Sequence, residues 1–378
     1  MDIKKILKNY NLSNLTIGVL GSHSALDACR GAKDLGFKTL VIVEKGRDKT
    51  YAKYYASTGS ANNVVGCVDE VFYVNKFSDL LKEDVQKKLI EKNVIFIPHR
   101  SFEVYLNSDF EAIENKFNVP MFGSRQLLKV EERAVKPNQY DLMEKAKIRY
   151  PKQFKNPKEI DRLCIIKVLE KERVYERAFF LVDSYQGFLQ ESNRLLTLGK
   201  ITENGLEKAV IEEFIVGVQV NFNFFYSPIN QGLELVGTDT RRQTNLDGLL
   251  RLPENYQKQI LENHLVELKY EEAGHIAVTV LESLLEPAFE IGEKFIKAAE
   301  EMLGGVIGPF GIQTMIIPGP PKKEIIVFDI SPRMPGSPGI FASPYSSYLY
   351  GENLSMGKRV AMEIKLAIEK NKLGEILT

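Results

Sequence analysis

Gln313 and Asp329 are the two residues of this 378-residue chain whose types and setting best suit a divalent cation. Each lies in an apolar, β-rich run, 310–317 and 324–330, and the Pro/Gly-rich segment 318–323 between them has the composition of a hairpin loop. Neighbouring antiparallel strands share a face, so the hairpin brings a carboxylate and an amide carbonyl together. Mg²⁺ takes oxygen ligands and keeps several waters, so these two groups and nucleotide phosphates make a sufficient site for Mg²⁺ (or Mn²⁺). Arg333 stands just beyond the second run, a fixed cation placed to position an anion.

Other residues point to the rest of a nucleotide site. Lys167 follows the apolar CII, so its strand packs in a core while its ammonium reaches towards phosphate. Glu212 and Glu213 close the run VIEEFI; one of them can accept ribose hydroxyls while Phe214 and Ile215 offer backbone groups to a purine edge. His23 after LGS and His99 with Ser101 after IFIP supply hydrogen-bond donors for an anionic group between two strand ends. Arg241, Arg242 and Asn245 form a third group of donors, in a stretch, 239–253, that reads as a loop. His264 and His275 read as structural. The sequence contains no GxSxG, HExxH, GxGxxG or GxxxxGK[ST], so acyl-hydrolase, zincin, dinucleotide-binding and P-loop chemistries lack their mechanical parts.

The elements that position these residues divide in two. Short buried-type strands at 15–20, 39–43, 71–74 and 94–97 alternate with helical patterns, which predicts a parallel sheet with helices outside it, and ligands gather at the carboxyl ends of such strands. From about residue 124 the pattern changes. A hairpin over 163–182, helices over 184–208, strands over 209–227 broken at Gly217, a short strand at 234–238, a helix over 285–303, the opening hairpin and a helix over 353–372 follow in order. The fold class is therefore α/β in the first part and α+β in the second, and the length alone asks for two domains or lobes. Lys and Arg number 50 and so do Asp and Glu, so no overall field draws the chain to nucleic acid or membrane. The three cysteines are far apart and lack metal-ligand spacing, and no signal-peptide core or run of about 18 apolar residues occurs, so a cytoplasmic protein is expected.

Taken in order, LGSHSAL (20–26), PHRSF (98–102), PMFGSR (120–125), IEEFIVG (211–217), DTRRQTNLDGLLRLP (239–253), GPFGIQ (308–313) and FDISPR (328–333) span nearly the whole chain. In that order they resemble the archaeal formate-dependent FAICAR synthetases (PurP), ligases of the ATP-grasp superfamily that formylate AICAR. The resemblance implies a preATP-grasp, Rossmann-like domain over residues 1–124 and a two-lobed ATP-grasp module over 125–378, its small lobe at about 137–208. It implies ATP and Mg²⁺ as cofactors, AICAR and formate as small-molecule partners, and a homo-oligomer. By motif, His23, Ser101 and Asn245 would contact AICAR, Glu213 would contact ATP, Lys167 would meet its phosphates, and Gln313 and Asp329 would bind the metal. The chain departs from the family pattern in places. VLEKERVYERAFF, after the strand lysine, has no glycine; Asp329 stands for a glutamate; PGSPG follows Arg333 where Gly-Thr-Asn is expected; Leu281 stands for an arginine and Arg100 for a small residue. Such changes also suit a divergent paralogue, either a ligase of another carboxylate or amine or a non-catalytic nucleotide-binding partner of an active enzyme.

Overall fold

The computed structural model describes residues 3–59, 64–133, 135–168, 179–263, 265–266, 272–319 and 321–378, without the side chains of residues 4 and 243–246. The glycine-free segment after Lys167 falls almost wholly outside the described residues, as does His264.

Four strands, β1 (Thr16–Leu20), β2 (Lys38–Glu44), β3 (Glu70–Val74) and β4 (Val94–Ile97), form a parallel sheet in the order β3-β2-β1-β4. β1 and β4 are buried along their whole length, as the unbroken apolar runs predicted. Next come β5 (Gln153–Phe154), β6 (Cys164–Lys167), β7 (Phe179–Val182) and β8 (Val210–Glu213), an antiparallel sheet ordered β5-β8-β6-β7 in which Cys164 pairs with Val182. The third sheet, ordered β11-β10-β9-β12-β13, contains β9 (Val218–Ser227), β10 (Gly232–Gln243), β11 (Glu272–Ala277), β12 (Gly308–Ile317) and β13 (Glu324–Ser331).

This third sheet is one-sided in its chemistry. Val220, Phe222 and Phe224 of β9 and Phe310 and Ile312 of β12 are buried in one apolar cluster with Phe295 of the helix Leu285–Leu303. Phe224 stacks on Phe310 at 5.5 Å and Phe295 lies against Phe310 at 5.1 Å. The alternation of a strand then sends Gln219, Asn221 and Asn223, with Gly311, Gln313 and Met315, to the other face, where all six line one cavity. The helical period and the strand period thus decide, together, which side of the sheet holds polar groups.

One expectation is corrected here. The stretch 239–253 is not a loop: β10 continues through Gln243 and a helix, Thr244–Leu249, follows. Asp239 and Arg241 lie on the cavity face of the strand, where Arg241 pairs across with His275 of β11, a strand the sequence did not announce.

The chain closes on itself. The helix Met356–Glu369 packs on Ala25–Asp34, and at their crossing a Cβ on Gly31 would overlap the carbonyl carbon of Gly357. Gly31→Ala gains up to about 1 kcal/mol of helix propensity, yet overpacking against a backbone atom costs about 3 kcal/mol, so a net loss of stability in urea denaturation is expected.

Candidate active site

A cavity of about 710 Å³ opens between the second and third sheets and the carboxyl ends of the first. His23, Lys167, Glu212, Glu213, Gln313, Asp329 and Arg333 all line it. Ser101 does not: its Oγ donates to Ser22 Oγ (3.0 Å) at the start of the helix Arg100–Tyr105. Asn245 lies on the helix Thr244–Leu249, with its side chain outside the described residues.

The second sheet contributes Lys167, Glu212 and Glu213. Glu212 is 2% exposed and ion-paired to Lys167, and its other oxygen accepts from Tyr140 OH at 2.7 Å. Burial pulls the Lys167 ammonium below its usual range, against the attraction of Glu212. Glu213, the next residue, points the other way and is half-buried; its carboxylate accepts from Lys152 N (3.3 Å) and Arg162 Nη1 (3.4 Å).

The third sheet contributes an ordered polar row. Asp239 of β10 pairs with Asn221 of β9, Asn221 with Gln313 of β12, and Gln313 with Asp329 of β13, so four strands set four polar residues side by side. The register of β12 and β13 shifts just after Gln313, leaving Phe328 unpaired beside Asp329. Bulges of this kind re-aim a neighbouring side chain. Asp329 Oδ1 accepts from Gln139 Nε2 (2.8 Å) and Arg133 Nη2 (3.3 Å), and Oδ2 accepts from Gln313 Nε2 (2.9 Å). Burial works against its charge, yet Arg133, Arg241 and Lys167 around it hold the carboxyl below its usual range.

These residues fit a hard cation. Asp329 Oδ2 keeps a lone pair, and Gln313 Oε1 is a buried oxygen that accepts from no donor among the described residues. Among those residues no group of three or more His, Cys, Asp and Glu side chains is placed to hold a metal, so a cation held here would draw on amide oxygens.

His275, expected to be structural, also lines the cavity. Its Nδ1 bonds Asp239 and its Nε2 lies 2.7 Å from Glu272 Oε1. Burial alone would lower its pKa; the hydrogen bonds to the two carboxylates raise it to about 9. The ring is thus an imidazolium at neutral pH, cross-linking β11 to β10. Because the folded pKa is raised, the stabilisation is complete below the ordinary value of 6.5 and fades as pH climbs through about 9. A shift of this size corresponds to about 3 kcal/mol. We expect the stability advantage of wild type over His275→Gln, from urea titrations, to be largest below about pH 6.5 and to fall by about 3 kcal/mol by pH 10.

The floor of the cavity is a tight ionic cluster. Arg333 donates to Glu131 through Nε (2.9 Å) and Nη2 (3.0 Å), and Arg100 Nη1 donates to Glu103 at 2.8 Å. Glu103 is fully buried; burial and the nearby Glu131 push its pKa up to about 8 against both arginines. His23 rests on this cluster, stacked 5.1 Å from His99, and burial with the adjacent Arg333 keeps its ring neutral. A Cβ on Gly336 would stand 2.6 Å from His23 Nε2, so the PGSPG turn packs against the imidazole only because that position is glycine. His99 is a capping group: its Nε2 bonds Leu20 O (2.8 Å) and its Nδ1 accepts from Ser101 N.

Sequence reasoning missed Glu131, Arg133, Gln139, Asn221 and Asp239. For the asparagine the signal was present, since NFNFF alternates polar and aromatic residues across a strand. For Arg133 and Gln139 there was none, because their partner Asp329 is about two hundred residues away in sequence.

A nucleotide-sized cavity between two antiparallel sheets, with a half-buried lysine on one and a carboxylate–amide pair on the other, places the chain among ATP-grasp enzymes. Solved structures agree. The IMP biosynthesis protein PurP from Thermococcus kodakaraensis superposes with a TM-score of 0.70 at 28% identity, over 96% of this chain and 100% of that one. The ADP complex of an N5-carboxyaminoimidazole ribonucleotide synthetase shares the fold, with a TM-score of 0.58 at 13% identity over 90% of this chain and 78% of the other. Two family models match, a "protein of unknown function" (DUF1246) over residues 17–154 and a "domain of unknown function" (DUF1297) over residues 187–378. The 5-formaminoimidazole-4-carboxamide-1-(beta)-D-ribofuranosyl 5'-monophosphate synthetase of Methanothermobacter thermautotrophicus is 38% identical over 100% of this chain and 98% of its own length. That of Methanopyrus kandleri is 37% identical over 100% and 99%. The chain belongs to this synthetase family.

Proposed function

We propose that the chain joins formate to the amine of AICAR at the expense of ATP, giving FAICAR, ADP and phosphate in purine biosynthesis. The observation that carries this reading is one cavity lined by Lys167, Glu213, Gln313, Asp329, Arg333 and His23, in a chain of this family. In the reaction, a formate oxygen attacks the γ-phosphorus and the bond to the ADP oxygen breaks. The AICAR nitrogen then attacks the formyl carbon, phosphate leaves with the electrons of the C–O bond, and the amine proton passes to the departing phosphate. Such steps need positioning and charge neutralisation rather than a protein nucleophile.

Lys167, ion-paired to Glu212, faces the phosphates, and Glu213 takes the ribose hydroxyls. His23, Ser101 and Asn245 bind AICAR, His23 as a neutral donor. Arg333, fixed by two bonds to Glu131, positions the acyl phosphate. Gln313 and Asp329 would hold Mg²⁺, which when bound would neutralise charge on the phosphate oxygens. The division at residues 124/125, with residues 1–124 on the substrate side, belongs to the same reading. So does assembly with further copies, supported by the exposed Phe341, Tyr348 and Leu349 and tested by light scattering. No described helix is long and apolar enough to cross a membrane, and the three cysteines are free and buried, which supports a cytoplasmic setting.

Incubation with ¹⁸O-formate tests the route. Formation of FAICAR with ¹⁸O in the released phosphate supports it, and FAICAR with unlabelled phosphate would rule out the acyl phosphate. A second reading, a different carboxylate or amine, is favoured by Arg100, which lines the floor. ADP release across a panel of carboxylates and amines decides between the two.

A further inference from the structure

The row Asp239–Asn221–Gln313–Asp329 carries a consequence for the cation. Its ends are two carboxylates, Asp239 buried and Asp329 half-buried, and its middle is two amides on directly paired positions of β9 and β12. An ionised carboxylate only accepts hydrogen bonds, so the amide end facing it must be NH₂. Asn221 Nδ2 accordingly donates to Asp239 Oδ2 (3.1 Å), and Gln313 Nε2 donates to Asp329 Oδ2 (2.9 Å) and Ser331 Oγ (3.3 Å). Each amide oxygen is left on the side away from its carboxylate, towards the middle of the row. Asn221 is 5% exposed and Gln313 6% exposed, and neither Asn221 Oδ1 nor Gln313 Oε1 accepts from a donor among the described residues.

Two buried acceptors on paired strand positions without a donor are unfavourable, because each forfeits a hydrogen bond to water. The fold nonetheless enforces the arrangement. Asp239 takes Asn223 Nδ2 (2.6 Å) as well as Asn221, and is itself bound by His275, so the amide of Asn221 is not free to turn. Outer partners that orient a ligand oxygen in this way are the usual accompaniment of a metal site. Cross-strand neighbours have Cβ atoms about 5 Å apart, a span that one hard cation with its waters bridges.

We propose that Asn221 is a cation ligand: its Oδ1 joins Gln313 Oε1 on the divalent ion held beside Asp329. Asn221 thereby provides, from β9, the asparagine oxygen that PGSPG does not provide after Arg333, while Asp239 and His275 act as positioning residues behind it. The proposal rests on the reading of Gln313 and Asp329 as the metal end of the cleft.

Mn²⁺ tests it on the full chain with ADP present. Titration followed by electron paramagnetic resonance should show Asn221→Leu, close in shape but without the oxygen, weakening Mn²⁺ binding at least tenfold while ADP binding without metal is unchanged. In wild-type protein labelled at asparagine ¹³Cγ, electron–nuclear double resonance should show a ¹³C coupling to bound Mn²⁺, a readout that needs no variant. Unchanged Mn²⁺ affinity in Asn221→Leu, or no ¹³C coupling in wild type, overturns the proposal. So does a variant that loses AICAR binding alone, which would give the two oxygens to the substrate amine. Asp329→Asn separates the two failures. If it abolishes Mn²⁺ binding while Asn221→Leu does not, only the role of Asn221 falls; if neither matters, the metal reading of the cleft falls with it.

Discussion

Asp329→Asn is expected to lower kcat for ADP release on the order of 10³-fold, with the protein still folded. The substitution is nearly isosteric but removes the carboxylate charge beside the proposed cation site. Arg133 and Gln139 both donate to Oδ1, and an amide oxygen there accepts the same bonds, so those two partners are kept and only the bond from Gln313 Nε2 to Oδ2 is lost. The loss falls on charge. Phosphoryl transfer is carried by neutralisation of the phosphate oxygens, and a neutral ligand holds a divalent ion less well than an anion. Steady-state ADP release at saturating Mg²⁺ and a thermal melt on the same sample check it. Wild-type turnover in the variant would remove Asp329 from the site, and a collapsed melt would recast it as a structural partner of Arg133.

Lys167→Met carries the second large effect, on stability as well as turnover. Glu212 is buried, and Lys167 is its cationic partner. Breaking a buried pair from one side leaves an uncompensated charge and costs about 3–5 kcal/mol. Tyr140 OH still donates to Glu212, so the lower end of that range is expected. Adding Glu212→Gln to Lys167→Met removes the stranded charge and should restore most of the stability, while ADP release stays low because no ammonium faces the phosphates. Urea denaturation of the two variants, beside their turnover, separates the roles. If the double variant recovers activity, Lys167 serves the fold and not the nucleotide.

Much of this site was legible because local pattern and chemistry coincide there. Gln313 and Asp329 sit on two apolar runs joined by a turn-rich loop, and the hairpin pairs them directly. Lys167, Glu212 and Glu213 were visible as polar ends of buried strands, and the parallel sheet followed from alternating strand and helix patterns. The rest depends on non-local register. No window of sequence shows that Asn221 lies opposite Gln313, or that Asp239, in a stretch that looks like a solvated loop, is a buried strand residue holding two asparagines and a histidine. The same cause hid the partners of His275: Asp239 is brought to it by the β10–β11 pairing. Arg100 and Arg333 were noticed singly, but only the packing of the helix Arg100–Tyr105 against the segment after β13 joins them through Glu103 and Glu131.

ADP release by the purified chain, measured with ATP, Mg²⁺, formate and AICAR present and then with each omitted in turn, tests the central claim most directly. The account predicts sustained ADP release only in the complete mixture, with FAICAR formed in equal amount and activity lost on chelation of the metal. No ADP from the complete mixture, or ADP released equally without formate or without AICAR, would contradict it.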